Sequence, residues 1–146
     1  MKYIIDKAEL IHSVESLELV KEIDKRAKSI NKVQRVLIEV NVSGEESKFG
    51  LVPEAVLDFV KETSKYSNVK VEGLMTVAPF GAAESELRKI FSQLKQISLD
   101  IEAKKIDTVS MGELSMGMTD DFEIAIEEGA TMVRVGTGIF GKRNYA

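Results

Sequence analysis

With 146 residues, 44% hydrophobic and 30% charged, the chain is sized for one globular domain with a real core, and is neither disordered nor fibrous. A formal net charge of −4 gives no bulk support for nucleic-acid binding. With no cysteine and His12 as the single histidine, disulfide frameworks, thiolate-ligated zinc or iron–sulfur centres and histidine-rich metal sites are excluded.

Met1–Lys7 holds no apolar run of signal-peptide length, and no stretch is long enough to span a bilayer. A soluble cytoplasmic protein without a membrane partner is expected. The first strand is read at Leu10–Val14. Leu17, Val20, Ile23, Ala27 and Ile30 then recur at helical spacing. Arg35–Val42 is a β-branched run suited to a buried parallel strand. A polar loop over residues 43–50 leads to Pro53, placed as a helix N1 proline, and Val56, Phe59, Val60 and Thr63 continue that helix.

A third strand is read at Val69–Val77, closed by Pro79. The longest helix spans about Ala83 to Lys105, with Leu87, Ile90, Leu94, Ile97 and Ile101 toward the core. A short fourth strand is read at Glu113–Gly117. Asp120 and Glu123 form a capping-box-like start for a helix over Phe122–Glu128, which Gly129 ends as a C′ residue. The last strand is read at Thr131–Gly136. No linker, low-complexity tract or internal repeat interrupts residues 1–146, which read as a single domain.

Strict alternation of strand and helix implies a parallel sheet with right-handed crossovers. An open doubly wound sheet and part of a (β/α)₈ barrel both fit. In either, ligands bind at the C-terminal ends of the strands. Ser13, Asn41, Ser43 and Thr76 fall there, as do two loops rich in small residues, 115–120 and 136–138. Such loops bring backbone N–H groups close to an anion, and the start of the Phe122 helix adds a favourable dipole. Residues 136–141 spell G-x-G-x-x-G, but a dinucleotide fingerprint needs a following helix and strand with an acidic residue about 20 positions on. The stretch after Gly141 offers neither, so a phosphate loop or a plain turn is expected.

At these loops the chain resembles a known family. His12–Ser16 is similar to "HSVDS" of the pyridoxal phosphate homeostasis family, whose barrel is like the N-terminal domain of alanine racemase. Residues 40–50 share that resemblance. Residues 73–80 are similar to "GLMTIPPF", residues 114–122 to "LSMGMSDDF", and residues 126–141 complete five motifs in the family's order. The resemblance implies an α/β fold, a (β/α)₈ TIM barrel of which this chain holds strands four to eight with their helices, incomplete at its N-terminus. It implies pyridoxal 5′-phosphate (PLP) as the cofactor. The family's PLP-linking lysine lies in an "AVSK" motif at the first strand, followed by "GENY" and "HFIG"; none of the three occurs here. Covalent attachment is therefore not expected, and PLP is expected to bind non-covalently at most.

The resemblance further implies that Ser115, Gly117, Thr119, Gly136 and Thr137 surround the phosphate, and that Arg134 faces the pyridine nitrogen. An arginine there keeps that nitrogen unprotonated and weakens the ring as an electron sink. Other readings stay open beside these. Arg134 also suits a buried carboxylate partner. Lys48 reads as a guide for an anion or as a solvated loop residue. Asp120 and Asp121 read as caps or as an acid pair, His12 as a structural histidine or a ligand contact, and Met75, Met111, Met116 and Met118 as adaptable packing.

The function expected is PLP binding and intracellular PLP balance without catalysis. The rival is an alanine-racemase-like enzyme, which needs a lysine and a second acid/base on the opposite ring face; a barrel fragment that binds nothing is the third reading. PLP or another small phosphate is the expected partner. Self-association is expected through the open edges at Leu10–Val14 and Thr131–Gly136, with Val36, Ile38, Val40, Leu74 and Val133 on an inward face that has lost cover.

Overall fold

The computed structural model describes residues 10–43, 50–79, 81–118 and 121–134. In chain order the elements are β1 (Leu10–Val14), α1 (Leu17–Ser29), β2 (Gln34–Glu39), a 3₁₀ turn (Pro53–Ala55), α2 (Val56–Thr63), β3 (Val69–Met75), α3 (Glu84–Ala103), β4 (Val109–Met118), α4 (Phe122–Glu127) and β5 (Met132–Arg134). Every neighbouring pair is parallel, and the sheet order is the chain order. That order decides between the two architectures. Right-handed crossovers that always step the same way put all helices on one face, whereas a doubly wound sheet must reverse. The chain is an arc of a (β/α) barrel.

The arc is curled. His12 Nδ1, from β1, lies 2.9 Å from Ser115 Oγ, from β4. In a flat sheet those strands would stand three spacings apart, about 14 Å. A side-chain bond can close that gap only across a concave face.

Local signals place the helix ends. Ser16 Oγ accepts the Leu19 N–H at 3.2 Å, so α1 starts on a serine N-cap. It ends with Asn31 at φ 55, Asn31 N–H on Lys28 O at 3.2 Å and Lys32 N–H on Ala27 O at 2.9 Å. That bond pair is a Schellman motif, which needs a left-handed residue at C′. Gly129 does the same for α4, with its N–H on Ile126 O at 3.1 Å and the Ala130 N–H on Ala125 O at 2.9 Å. Pro53 opens the 3₁₀ turn that runs into α2.

The core lies between strands and helices. Val20, Ile23 and Ala27 of α1, Val56, Phe59 and Val60 of α2, and Leu87, Ile90, Phe91, Leu94 and Ile101 of α3 pack on Val14, Val36, Ile38, Val40, Val69, Val71, Leu74, Leu114 and Met116. This corrects the expectation of an inward apolar face. Val36, Ile38, Val40 and Leu74 lie under the helices, and Val133 packs against the same core. A continuous β-branched run does not reveal which of its two alternating sets faces which way. On β2 the opposite set is Arg35, Leu37 and Glu39. Arg35 Nε pairs with Glu72 Oε1 at 2.6 Å and Lys70 Nζ with Glu72 Oε2 at 3.4 Å, so the concave floor carries an ion cluster beside the buried Leu37, where complete barrels mostly stack branched apolar residues.

Some strand bounds also shift. The second strand stops at Glu39 because the returning chain takes over: Leu51 N–H donates to Glu39 O at 2.9 Å and Asn41 N–H to Leu51 O at 2.8 Å. The third stops at Met75. The fourth begins at Val109, four residues earlier than read, because Val109 aligns with Val71 of β3 although Ser110 and Gly112 make the stretch look like a loop. Gly73 allows the tightest approach: a Cβ there would stand 1.8 Å from Glu113 O.

Candidate functional site

The C-terminal ends of the strands converge on the concave mouth. Ser115 is fully buried and tied from two sides. Its carbonyl accepts the Thr76 N–H at 3.1 Å, and its hydroxyl meets His12 Nδ1 at 2.9 Å. Thr76, also buried, donates its own hydroxyl to Val40 O at 2.6 Å, while Val40 N–H donates to Met75 O at 2.8 Å. Ser43 Oγ lies 3.2 Å from Asn41 Oδ1. Glu15 accepts the N–H of Gly50, so the carboxylate just past β1 holds the returning end of the loop that closes on β2.

Gly117 has φ +98, and a Cβ on it would lie 2.6 Å from Ala125 Cβ and 3.3 Å from Phe122 Cα. Its missing side chain therefore lets α4 rest directly on the β4 strand end, beside Ser115. Asp121 takes the N-cap position of α4. The capping reading holds for its position, but its side chain makes no cap bond: Oδ1 accepts the Met118 N–H at 2.5 Å and secures the turn ahead of the helix. Behind α4, Arg88 of α3 reaches Glu127 at 2.5 Å, Glu128 at 3.0 Å and Glu84 at 3.0 Å. The hydrogen bond it donates to Glu127, and then those it donates to Glu84 and Glu128, hold its guanidinium pKa above the usual arginine value.

Of the residues singled out in sequence, Ser115 and Gly117 lie together at the mouth. Arg134 is the last residue of β5, aligned with Met118; its side chain, with Thr119, Asp120, Gly136, Thr137 and Lys48, lies outside the described part. His12 is satisfied by Ser115, in keeping with its reading as a structural histidine. Its position at a strand end was the one available signal, but the partner is 103 residues away and only the curl brings them together.

The test for a phosphorylated cofactor is the donor set. A buried serine hydroxyl backed by an imidazole, next to a strand end that admits no side chain, fits an anion. The lysines of the described residues lie on helices, in connections, or at the start of β3 as Lys70, away from this mouth. Among the described residues no cluster of acidic or imidazole ligands is placed for a metal ion, and no helix is long and apolar enough to cross a membrane. A cavity of about 210 Å³ between α2 and α3, lined by Pro53, Val56, Leu57, Ile97, Asp100, Ile101 and Lys104, lies on the helical side and away from the strand ends.

Comparison with known proteins agrees with the barrel fold. A "Pyridoxal phosphate homeostasis protein" of Aquifex aeolicus is 46% identical over 145 residues, covering 99% of this chain and 63% of its own length. The solved structure of PipY from Synechococcus elongatus with PLP bound superposes with a TM-score of 0.86 at 28% identity, over 96% of this chain and 64% of PipY. An alanine racemase of Clostridium difficile, at 18% identity, shares the fold with a TM-score of 0.74, over 99% of this chain and 38% of its own. The chain thus spans under two thirds of each relative. The family model for the alanine racemase N-terminal domain matches residues 1–144, and the chain belongs to that family, among relatives named as pyridoxal phosphate homeostasis proteins.

Proposed function

We propose that the chain serves PLP binding and PLP balance in the cytoplasm, as a carrier and not as a catalyst. The observation that carries this is the buried Ser115 hydroxyl held by His12 across the strand ends, beside Gly117. In this reading Ser115, Gly117, Thr119, Gly136 and Thr137 hold the phosphate, and Arg134 meets the ring nitrogen. PLP, when bound, supplies a reactive aldehyde and an electron-accepting ring. An arginine at the ring nitrogen keeps it unprotonated and lowers that electron demand, which suits holding the cofactor. The relatives' names and PipY's bound PLP support the cofactor class.

With no lysine of the described residues at the mouth, binding is non-covalent in this reading. Borohydride reduction of the PLP-treated chain followed by peptide mapping should give scattered labelling; one stoichiometric adduct would overturn it. Titration with pyridoxine 5′-phosphate should shift the amides of Ser115–Met118, and shifts confined elsewhere would refute the site. Racemisation of alanine by the chain would replace the carrier reading with the enzyme reading. Self-association belongs to the same proposal, since β1 and β5 end the described sheet and strand edges pair readily. A concentration-independent monomer in sedimentation would remove it.

A further inference from the structure

We propose that Glu15 is a positioning residue of the mouth: its carboxylate holds Gly50 and Leu51 in the place that β1 vacates beside β2, and so fixes the strand ends that face the ligand. The inference rests on the phosphate reading above for what the mouth binds, and on backbone geometry for how Glu15 acts.

The need for such a residue comes from a strand edge. β1 pairs with β2 as far as Val14, opposite Ile38, and the chain then turns away into α1. The chain of β2 runs on past that point. Successive residues of an extended chain aim their backbone groups to opposite sides. Val40 N–H goes to Met75 O, on the β3 side, at 2.8 Å, so Glu39 O and Asn41 N–H face the side that β1 has left. Backbone groups there need partners. Leu51 supplies both, in a parallel bridge with Val40: its N–H donates to Glu39 O at 2.9 Å, and its carbonyl accepts Asn41 N–H at 2.8 Å.

A bridge of one residue has no strand of its own to steady it. Glu15, the next residue after β1, steadies it by accepting the Gly50 N–H. Carboxylate-to-amide bonds are among the stronger hydrogen bonds. Gly50 in turn can be seated there only as glycine: its φ is +92, and a Cβ would stand 2.8 Å from Asn41 N. The side chain that ends one strand thus splices its successor onto the edge of the next.

The splice reaches the ligand site through Val40. Its carbonyl accepts the Thr76 hydroxyl at 2.6 Å, and Thr76 N–H donates to Ser115 O at 3.1 Å. Val40, Thr76 and Ser115 are all buried, so water does not readily replace these bonds. Glu15, Gly50, Leu51, Val40, Thr76 and Ser115 form a belt from the end of β1 to the end of β4, and Glu15 is its charged anchor.

The test titrates pyridoxine 5′-phosphate into the full 146-residue chain and its variants, with affinity and amide exchange both read by NMR. Glu15→Ala should speed exchange at Gly50 and Leu51 by about tenfold, the scale of one hydrogen bond to a charged group. It should weaken binding by about threefold, a smaller effect because it acts through Thr76. Glu15→Gln keeps an acceptor at the same reach and should restore most of both. Glu15→Asp, one methylene shorter, should not, and it carries the test if Glu15→Ala does not fold. On a Thr76→Val background, which breaks the belt at Val40, Glu15→Ala should still speed Gly50 exchange but add no further loss of affinity. Unchanged affinity in Glu15→Ala and Glu15→Asp, failure of Glu15→Gln to restore it, or a full extra loss on the Thr76→Val background would overturn the positioning role and leave the phosphate site standing. No binding by the unsubstituted chain would overturn the phosphate reading and with it the role of Glu15 toward a ligand.

Discussion

The two faces of the sheet carry opposite chemistry. On the convex side Val36, Ile38, Val40, Leu74 and Leu114 are buried under four helices in one apolar core. On the concave side Arg35 and Lys70 both pair with Glu72, and His12 meets Ser115 above them. Alternation along each strand divides the labour: one set of side chains holds the arc together, and the other set is left to bind. Stability and ligand affinity should therefore respond to separate sets of substitutions, and each experiment below can break that separation.

The largest stability effect belongs to the convex face. Phe91, on α3, is among the largest fully buried side chains. Phe91→Ala should cost about 3–5 kcal/mol, from lost burial plus the cavity left behind, read as a lower urea midpoint. A cost below about 1 kcal/mol would mean that the helical layer is not the main core.

Next comes Gly73, where the faces meet through the backbone. A Cβ would lie 1.8 Å from Glu113 O and 2.7 Å from its carbonyl carbon. Backbone cannot swing aside like a side chain, so Gly73→Ala should reach about 3 kcal/mol, the upper end of ordinary overpacking. It should also weaken pyridoxine phosphate binding, because β3 and β4 must part and Ser115 lies two residues beyond Glu113 on β4. An unaffected affinity would show that the mouth tolerates a shift in that ladder.

These two residues also show what was legible in sequence. Phe91 lies within the helix read from periodicity, and the helix spans, the alternation and the parallel class could all be read because each depends on local spacing. The side of the sheet was not readable, since Val36, Leu37 and Ile38 are all apolar and only tertiary packing chooses between odd and even positions. The His12–Ser115 pair was hidden for a stronger reason. It depends on curvature, a property of the whole strand set that no short window contains. Ser115 and Gly117 were singled out by resemblance, and the geometry gives each a physical job: a buried hydroxyl with a partner, and a strand end on which α4 rests.

On the concave floor, Glu72→Gln should cost about 1 kcal/mol: Glu72 itself is 15% exposed, but its partners Arg35 and Lys70 have 41% and 48% of their side chains open to solvent, and ion pairs with solvated partners are worth little. Chemical denaturation checks it. A loss as large as that of Phe91→Ala would erase the contrast between the faces.

The smallest effect is expected at Arg88, which belongs to neither face and ties α3 to α4 through Glu127, Glu128 and Glu84. The pairs lie at the surface, so Arg88→Ala should barely move the global midpoint, and the difference should vanish in 1 M salt, where screening acts within about 3 Å. The sign of the pH effect is fixed by the raised pKa of the arginine. A group whose folded pKa is raised contributes fully below its unfolded value and loses that contribution only as pH rises through the folded one. Both lie far above neutrality, so the arginine side of the clamp is constant across the neutral range and salt is the lever. The local effect should exceed the global one. Amides of Glu128, Gly129 and Ala130, whose bonds close the end of α4, should exchange faster in Arg88→Ala at low salt, while those of β2 stay as they were. Since α4 rests on Gly117 at 2.6 Å from the absent Cβ, faster exchange should come with a modest loss of phosphate affinity that salt removes. Equal acceleration in β2 and α4 would mean that the clamp supports the whole arc, and the mouth would then have no adjustable wall of its own.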